Sequence, residues 1–97
     1  MKHKDMQVGD TFYHYGIREV AKWKIDSISV IHVIVIGEGG NPVTVSLGSW
    51  GALVRECTMV AHKDLVETYG EEAVFEHTLS GTVKDLLSTY KELSNRL

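Results

Sequence analysis

From Val30 to Ile36 every side chain except His32 is large and aliphatic. A strand alternates its side chains between two faces, so this run leaves neither face for water. The even-numbered Val30, Ile34 and Ile36 need cover on one side. The odd-numbered Ile31, Val33 and Val35 need it on the other. Downstream, Gly37-Glu-Gly-Gly-Asn-Pro42 separates this run from Val43-Thr-Val-Ser-Leu47, and β-branched flanks around such a cluster predict a hairpin. Upstream, Trp23 and Ile25 are odd-numbered apolar positions, whereas Ile28 and Val30 are even-numbered. A one-residue phase slip inside a β run is how a bulge reads. Residues 19–36 are therefore expected as one long bent strand, or as two strands meeting near Asp26.

The rest of the chain supplies further elements. Thr11-Phe-Tyr-His-Tyr15 predicts a short strand with Phe12 and His14 on one face and Tyr13 and Tyr15 on the other. Gly48-Ser-Trp-Gly51 reads as a turn with Trp50 at its tip, and residues 52–61 as a poorly periodic continuation of the sheet. Asp64–Tyr69 reads as a helical turn ended by Gly70, and Glu72–His77 as a short strand. Leu79, Val83, Leu86, Leu87, Tyr90, Leu93 and Leu97 recur at the spacing of one helical face. A helix over about 80–95, with Ser80 or Thr82 at its start, follows. An isolated helix of that length is marginal in water, so its stripe must dock on the sheet or on a partner.

Val8-Gly9-Asp10-Thr11-Phe12-Tyr13, followed by a long bent strand and a hairpin, resembles the opening of SH3-like small barrels. The likeness covers the first half of the chain, implies a fold class and carries no site residue across. The expected architecture is α+β in a single domain over 1–97, with residues 6–77 β-rich. It comprises a small bent antiparallel sheet or SH3-like barrel of about five strands and a C-terminal helix.

Charge narrows the partners. The 97-residue chain carries a net charge of −3, with residues 1–50 balanced at five basic and five acidic groups and residues 51–97 holding five against eight. A domain that relies on neutralising phosphates shows a basic excess, so nucleic acid is disfavoured as a partner, a local patch aside. The single Cys57 has no internal disulfide partner, as suits a reducing compartment. The longest apolar run is far below the roughly 20 residues a membrane helix takes, and no secretory pattern opens the chain. Cytoplasmic location without a membrane partner is the expectation.

Motifs that would carry chemistry are weak. Gly37-Glu38-Gly39-Gly40 lacks the helix that a phosphate-binding loop must open, and a hairpin loop explains its glycines. Gly48-Ser49-Trp50-Gly51 has its serine one place out of register for a nucleophile elbow. His3, His14, His32, His62 and His77 are scattered. His14, His32 and His77 would need to converge in space to hold a metal, so no metal or other cofactor is expected. Cys57, near Arg55, reads as a buried structural cysteine rather than a nucleophile. Glu71 and Glu72, adjacent beside a turn, suit a solvated loop. No catalytic residue is assigned.

Two surfaces remain. Tyr13, Tyr15, Arg18, Lys22, Lys24 and Trp50 combine aromatic and basic groups, the kind that stack bases or take an acidic peptide. Packed tyrosines and a lid-like Trp50 are the plain alternative. His32, alone among aliphatic neighbours, satisfies a buried polar group, pairs across a subunit boundary or lines a small pocket. Ile31, Val33 and Val35 are the expected interface of a homo-oligomer, a dimer in the simplest case, unless the C-terminal helix covers that face. The expected function is that of a non-enzymatic accessory binding a protein or small ligand, a category that includes phage-type inhibitors and sponges. A nucleic-acid-binding small barrel is the alternative, and an enzyme with a site at a subunit interface is the third reading.

Overall fold

Trp23 and Ile25 alternate with Lys22 and Lys24 along one strand, so on this strand one side is apolar and the other basic. The computed structural model describes residues 6–15 and 20–96. Among these, the elements run β1 Thr11–Tyr15, β2 Val20–Ile28, β3 His32–Gly37, β4 Pro42–Ser46, α1 Leu47–Arg55, β5 Met59–Ala61, α2 His62–Tyr69, α3 Glu71–Ser80 and α4 Val83–Arg96. The strands form one antiparallel sheet in the order β4-β3-β2-β1-β5. The fold is α+β, as expected. The sheet is not closed into a barrel, however: β4 and β5 are its two edges and do not pair with each other, which corrects the SH3-like expectation.

The phase slip is present. Ile25 faces Val35 and Ser27 faces Ile34, so Asp26 is the extra residue of a bulge. Past it, Ile28 pairs with Val33 and returns to the face of Ile25. The aliphatic run is not one strand with what precedes it. At Ser29–Ile31 the chain turns: Ser29 N donates to His32 O at 2.8 Å, and Ser29 Oγ accepts from His32 N at 3.1 Å. A serine that satisfies the backbone locally competes with the ladder, and the two strands meet here rather than at Asp26. Val30 is consequently 92% exposed. The Gly/Asn/Pro hairpin forms as expected, with Gly40 at φ 81° donating its N–H to Gly37 O at 3.0 Å.

Each face of the sheet carries a separate core. On one face Phe12, Ile25, Val33, Val35, Met59 and Ala61 pack around Trp50, whose ring meets Phe12 edge-on with centroids 4.9 Å apart. Trp50 belongs to α1 and not to a turn. Ser46 caps that helix, its Oγ accepting from Ser49 N at 3.1 Å. α1 ends with Thr58 N donating to Leu53 O and Cys57 N to Val54 O, a Schellman arrangement with Cys57 at φ 57° where glycine usually stands.

On the other face Tyr13, Val60, Leu65, Val74, Leu86 and Leu87 form the second core, with Cys57 beside them. Three helices supply it. The segment expected as a strand at Glu72–His77 lies inside α3, between Gly70 and Gly81, the latter at φ 72° closing the helix through Thr82 N to His77 O. Glu71 and Glu72 sit in the first turn of α3, where carboxylates complement the helix dipole, rather than in a loop. α4 matches the C-terminal periodicity, its Leu86 and Leu87 buried and its Lys91 and Glu92 exposed. Leu79 falls outside that stripe, on the solvent side of α3.

Candidate docking face

The two helical coverings are unequal. Cross-strand neighbours share a face, so the pairs Tyr13–Lys22, Thr11–Lys24, Lys24–Ile36 and Ile34–Thr44 place these residues on the side that bears α2, α3 and α4. The second core gathers on Tyr13, Tyr15, Val60 and Val20, at the β1–β5 end of the sheet. The β2–β3–β4 half of the same face lies outside it. Lys22 and Lys24 are exposed there, and Ile34 and Ile36 are half-buried.

A hollow of about 480 Å³ lies at the foot of this half-face between Val8, Gly9, Lys24, Asp26, Ile36 and Gly37. A neighbouring hollow of about 390 Å³ shares Gly9, Lys24, Ile36 and Gly37 with it and reaches Thr11, Lys22 and Glu38. A third of about 220 Å³ runs from Gly9 to the start of α2, where Lys63 Nζ lies 2.9 Å from Asp10 Oδ2. Together they form a shallow channel with two lysines on its floor and acidic Asp26 and Glu38 at its rim. On the opposite face of the same strand, Gly37 makes room for Trp23: a Cβ there would come within 3.2 Å of the indole ring.

The expected site residues are dispersed. Lys22 and Lys24 stand side by side on one strand face as read. Tyr13 is buried against the helices, its Oη 2.8 Å from His62 Nδ1, and burial pushes its phenol above the ordinary value while a hydrogen bond with Thr78 takes part of this back. Tyr15 is held by Ser88, Oη to Oγ 2.9 Å, and Lys84 Nζ lies 5.9 Å from its ring centre. Trp50, expected as a contact anchor, is 0% exposed in the first core. Tyr13 and Trp50 are buried and not free to stack on a ligand, whereas Tyr15 is half-buried. Arg18 and His3 lie outside the described residues.

The interface assignment also changes. Val33 and Val35 are 0% and 1% exposed beneath α1, so they are core residues and not a contact surface; the cover is α1, not the C-terminal helix. Ile31, in the turn before β3, is 69% exposed. The even-numbered side holds the open positions Ile34 and Ile36. His32 shares that face, opposite Ser46, at the far end from the channel. His14 points to the α1 face and His77 lies on α3, its Nδ1 2.8 Å from Thr82 Oγ1. Among the described residues no group of three or more His, Cys, Asp or Glu side chains is placed to hold a metal ion. Cys57 is buried, as a structural thiol would be. No described helix is long and apolar enough to cross a membrane.

Sequence reasoning set Ile34 and Ile36 on a face that needs cover but assigned the site to the odd-numbered side, and it missed the Gly9 corner. The signal was present in the phase of the strand: Lys24 and Ile36 align once the bulge at Asp26 is counted. No protein-family model, curated protein or solved structure matches the chain.

Proposed function

We propose that this protein acts by binding rather than by catalysis, as an accessory that holds an acidic, partly apolar segment of a protein partner on the open half of its sheet. One observation carries this reading: three helices gather over β1 and β5, while Lys22, Lys24, Ile34 and Ile36 stay outside their core. Two ammonium groups beside two aliphatic side chains suit a partner that offers carboxylates and small apolar groups together. Such complementarity sets specificity and association rate more than raw affinity. The burial of Tyr13 and Trp50 leaves less aromatic surface for stacking bases, which favours a protein segment over a single-stranded nucleic acid.

The experiment is a titration of isotopically labelled protein with a short peptide alternating glutamate and leucine, beside its lysine–leucine counterpart. The acidic peptide should move the amide resonances of Lys22, Lys24, Ile34 and Ile36 and weaken with added salt. Lys24→Glu should weaken it about tenfold, because an exposed charge pair worth up to about 1 kcal/mol is lost and a like charge then opposes the peptide. Equal response to both peptides, or shifts confined to the α1 face, defeats the proposal.

A further inference from the structure

We propose that two copies of this chain join through β4, antiparallel about a twofold axis perpendicular to the sheet, so that a partner copy completes the docking floor. This rests on reading the open half-sheet as the docking face. A sheet has two edges, and here they differ. β5 is buried along its whole length at Met59, Val60 and Ala61. β4 is exposed except at Val45, and it is the terminal strand of the order. Natural sheets blunt such edges with charged side chains, bulges or internal prolines. β4 has none of these between Val43 and Ser46. It carries no charge, its register with β3 runs without a shift from Ile36–Pro42 to His32–Ser46, and Pro42 stands only at its first position.

Charge and symmetry select a second copy as the occupant. Antiparallel pairing centred on Thr44 sets Thr44 against Thr44 and Val43 against Val45, β-branched pairs with no like charges opposed. The charge that would repel a copy lies elsewhere, since residues 62–96 hold seven acidic and four basic groups, equal to the whole net charge of −3. These helices gather at the β1–β5 end. Edge pairing through β4 sends the two acidic layers to opposite ends of a ten-stranded sheet, whereas packing helix against helix would bring acid to acid. A perpendicular twofold keeps like faces together. The two open halves then merge into a six-stranded floor, β2-β3-β4 and their symmetry mates, about 24 Å across at the usual strand spacing. A helical wall closes each end, with Lys22 and Lys24 at its foot. The composite channel fits a partner that presents two acidic segments.

Pairing of one short strand is a small interface, so association should be weak, with the scattering mass doubling between about 1 and 100 µM. Thr44→Cys in a Cys57→Ser background should give a covalent dimer under mild oxidation, because directly opposed strand residues lie within disulfide reach. Thr44→Lys, at an exposed position, should keep the circular dichroism of the parent and raise the dimer dissociation constant at least tenfold. A parent that stays monomeric throughout, or a dimer indifferent to Thr44→Lys, overturns the proposal. A dimer that does not cross-link through Thr44→Cys overturns the twofold register. A dimer that ignores the acidic peptide defeats the docking reading alone, whereas a permanent monomer that binds it defeats the edge pairing alone.

Discussion

Tyr13 Oη lies 2.8 Å from His62 Nδ1, and this contact ties the centre of β1 to the first residue of α2, 49 positions later. The ring planes are tilted by 51°, with centroids 5.9 Å apart. The hydroxyl therefore has a partner although the side chain is buried, which is the condition for a tyrosine to sit in a core at modest cost. Tyr13→Phe keeps the ring and removes the bond. It should lower stability by about 1 kcal/mol, the net worth of one hydrogen bond, with an added penalty if His62 Nδ1 stays dry. Urea denaturation should show a lower midpoint with an unchanged slope. An unchanged midpoint would mean that the contact contributes nothing in solution.

The phenols of Tyr13, Tyr69 and Tyr90 are all pushed above their ordinary value, in each case first by burial. For Tyr90 the negative charge of Asp64 adds to the effect. A phenol is neutral when protonated, so a raised folded value means that the folded state holds its proton longer than the unfolded chain. The stability from these groups is complete below pH about 10, where unfolded tyrosine titrates, and is lost as the pH rises through the folded values. Melting temperature should fall above pH about 10, and phenolate absorbance of the folded protein should lag that of the protein in urea. Tyr90→Phe should reduce the alkaline loss. Identical folded and unfolded titrations would contradict the burial argument.

Much of the sheet was legible because its signals are local. The phase slip between Ile25 and Ile28, the glycines of the hairpin and the stripe through Leu86, Leu87 and Tyr90 each lie within a few residues. α1 was hidden for a definite reason. Its sequence holds Gly48 and Gly51, poor helix formers, and its end carries Cys57 in the left-handed region instead of a glycine. α3 has the same closing hydrogen bonds with Gly81 in that place, yet Ala73-Val74-Phe75 carries a β-like composition that tertiary packing overrides. The site was harder to read. Which aliphatic face of β3 is open depends on where α1 and the other helices land, and no local pattern states that.

The C-terminal helix offers a graded test of docking. Leu87 is 0% exposed in the second core, while Leu79 of α3 is 72% exposed. Leu87→Ala should cost about 2–5 kcal/mol, as large-to-small changes in packed cores do. Leu79→Ala should stay within about 0.5 kcal/mol of the parent. Comparable losses at both sites would show that α3 hides its outer face in solution.

The two faces of β3 can be told apart with one substitution on each. Val33 lies under α1 among Phe12, Ile25 and Trp50, with no exposed surface. Lysine there must either bury an ammonium among aliphatic groups or push α1 away, and neither is tolerated at the 5–15 kcal/mol stability of an ordinary domain. Val33→Lys should therefore unfold the chain. Ile34 is the next residue, half-buried on the open face beside Ser27 and Thr44. A lysine at this position keeps its aliphatic stem on the sheet and sends its charge to water. Ile34→Lys should fold, with a small loss of stability, and should make binding of the acidic peptide more salt-dependent, because it exchanges an apolar contact of the docking face for a charge. Circular dichroism and the peptide titration read the two outcomes separately. If both variants fold equally well, α1 does not close over Val33, and the assignment of faces on which the docking site rests is reversed.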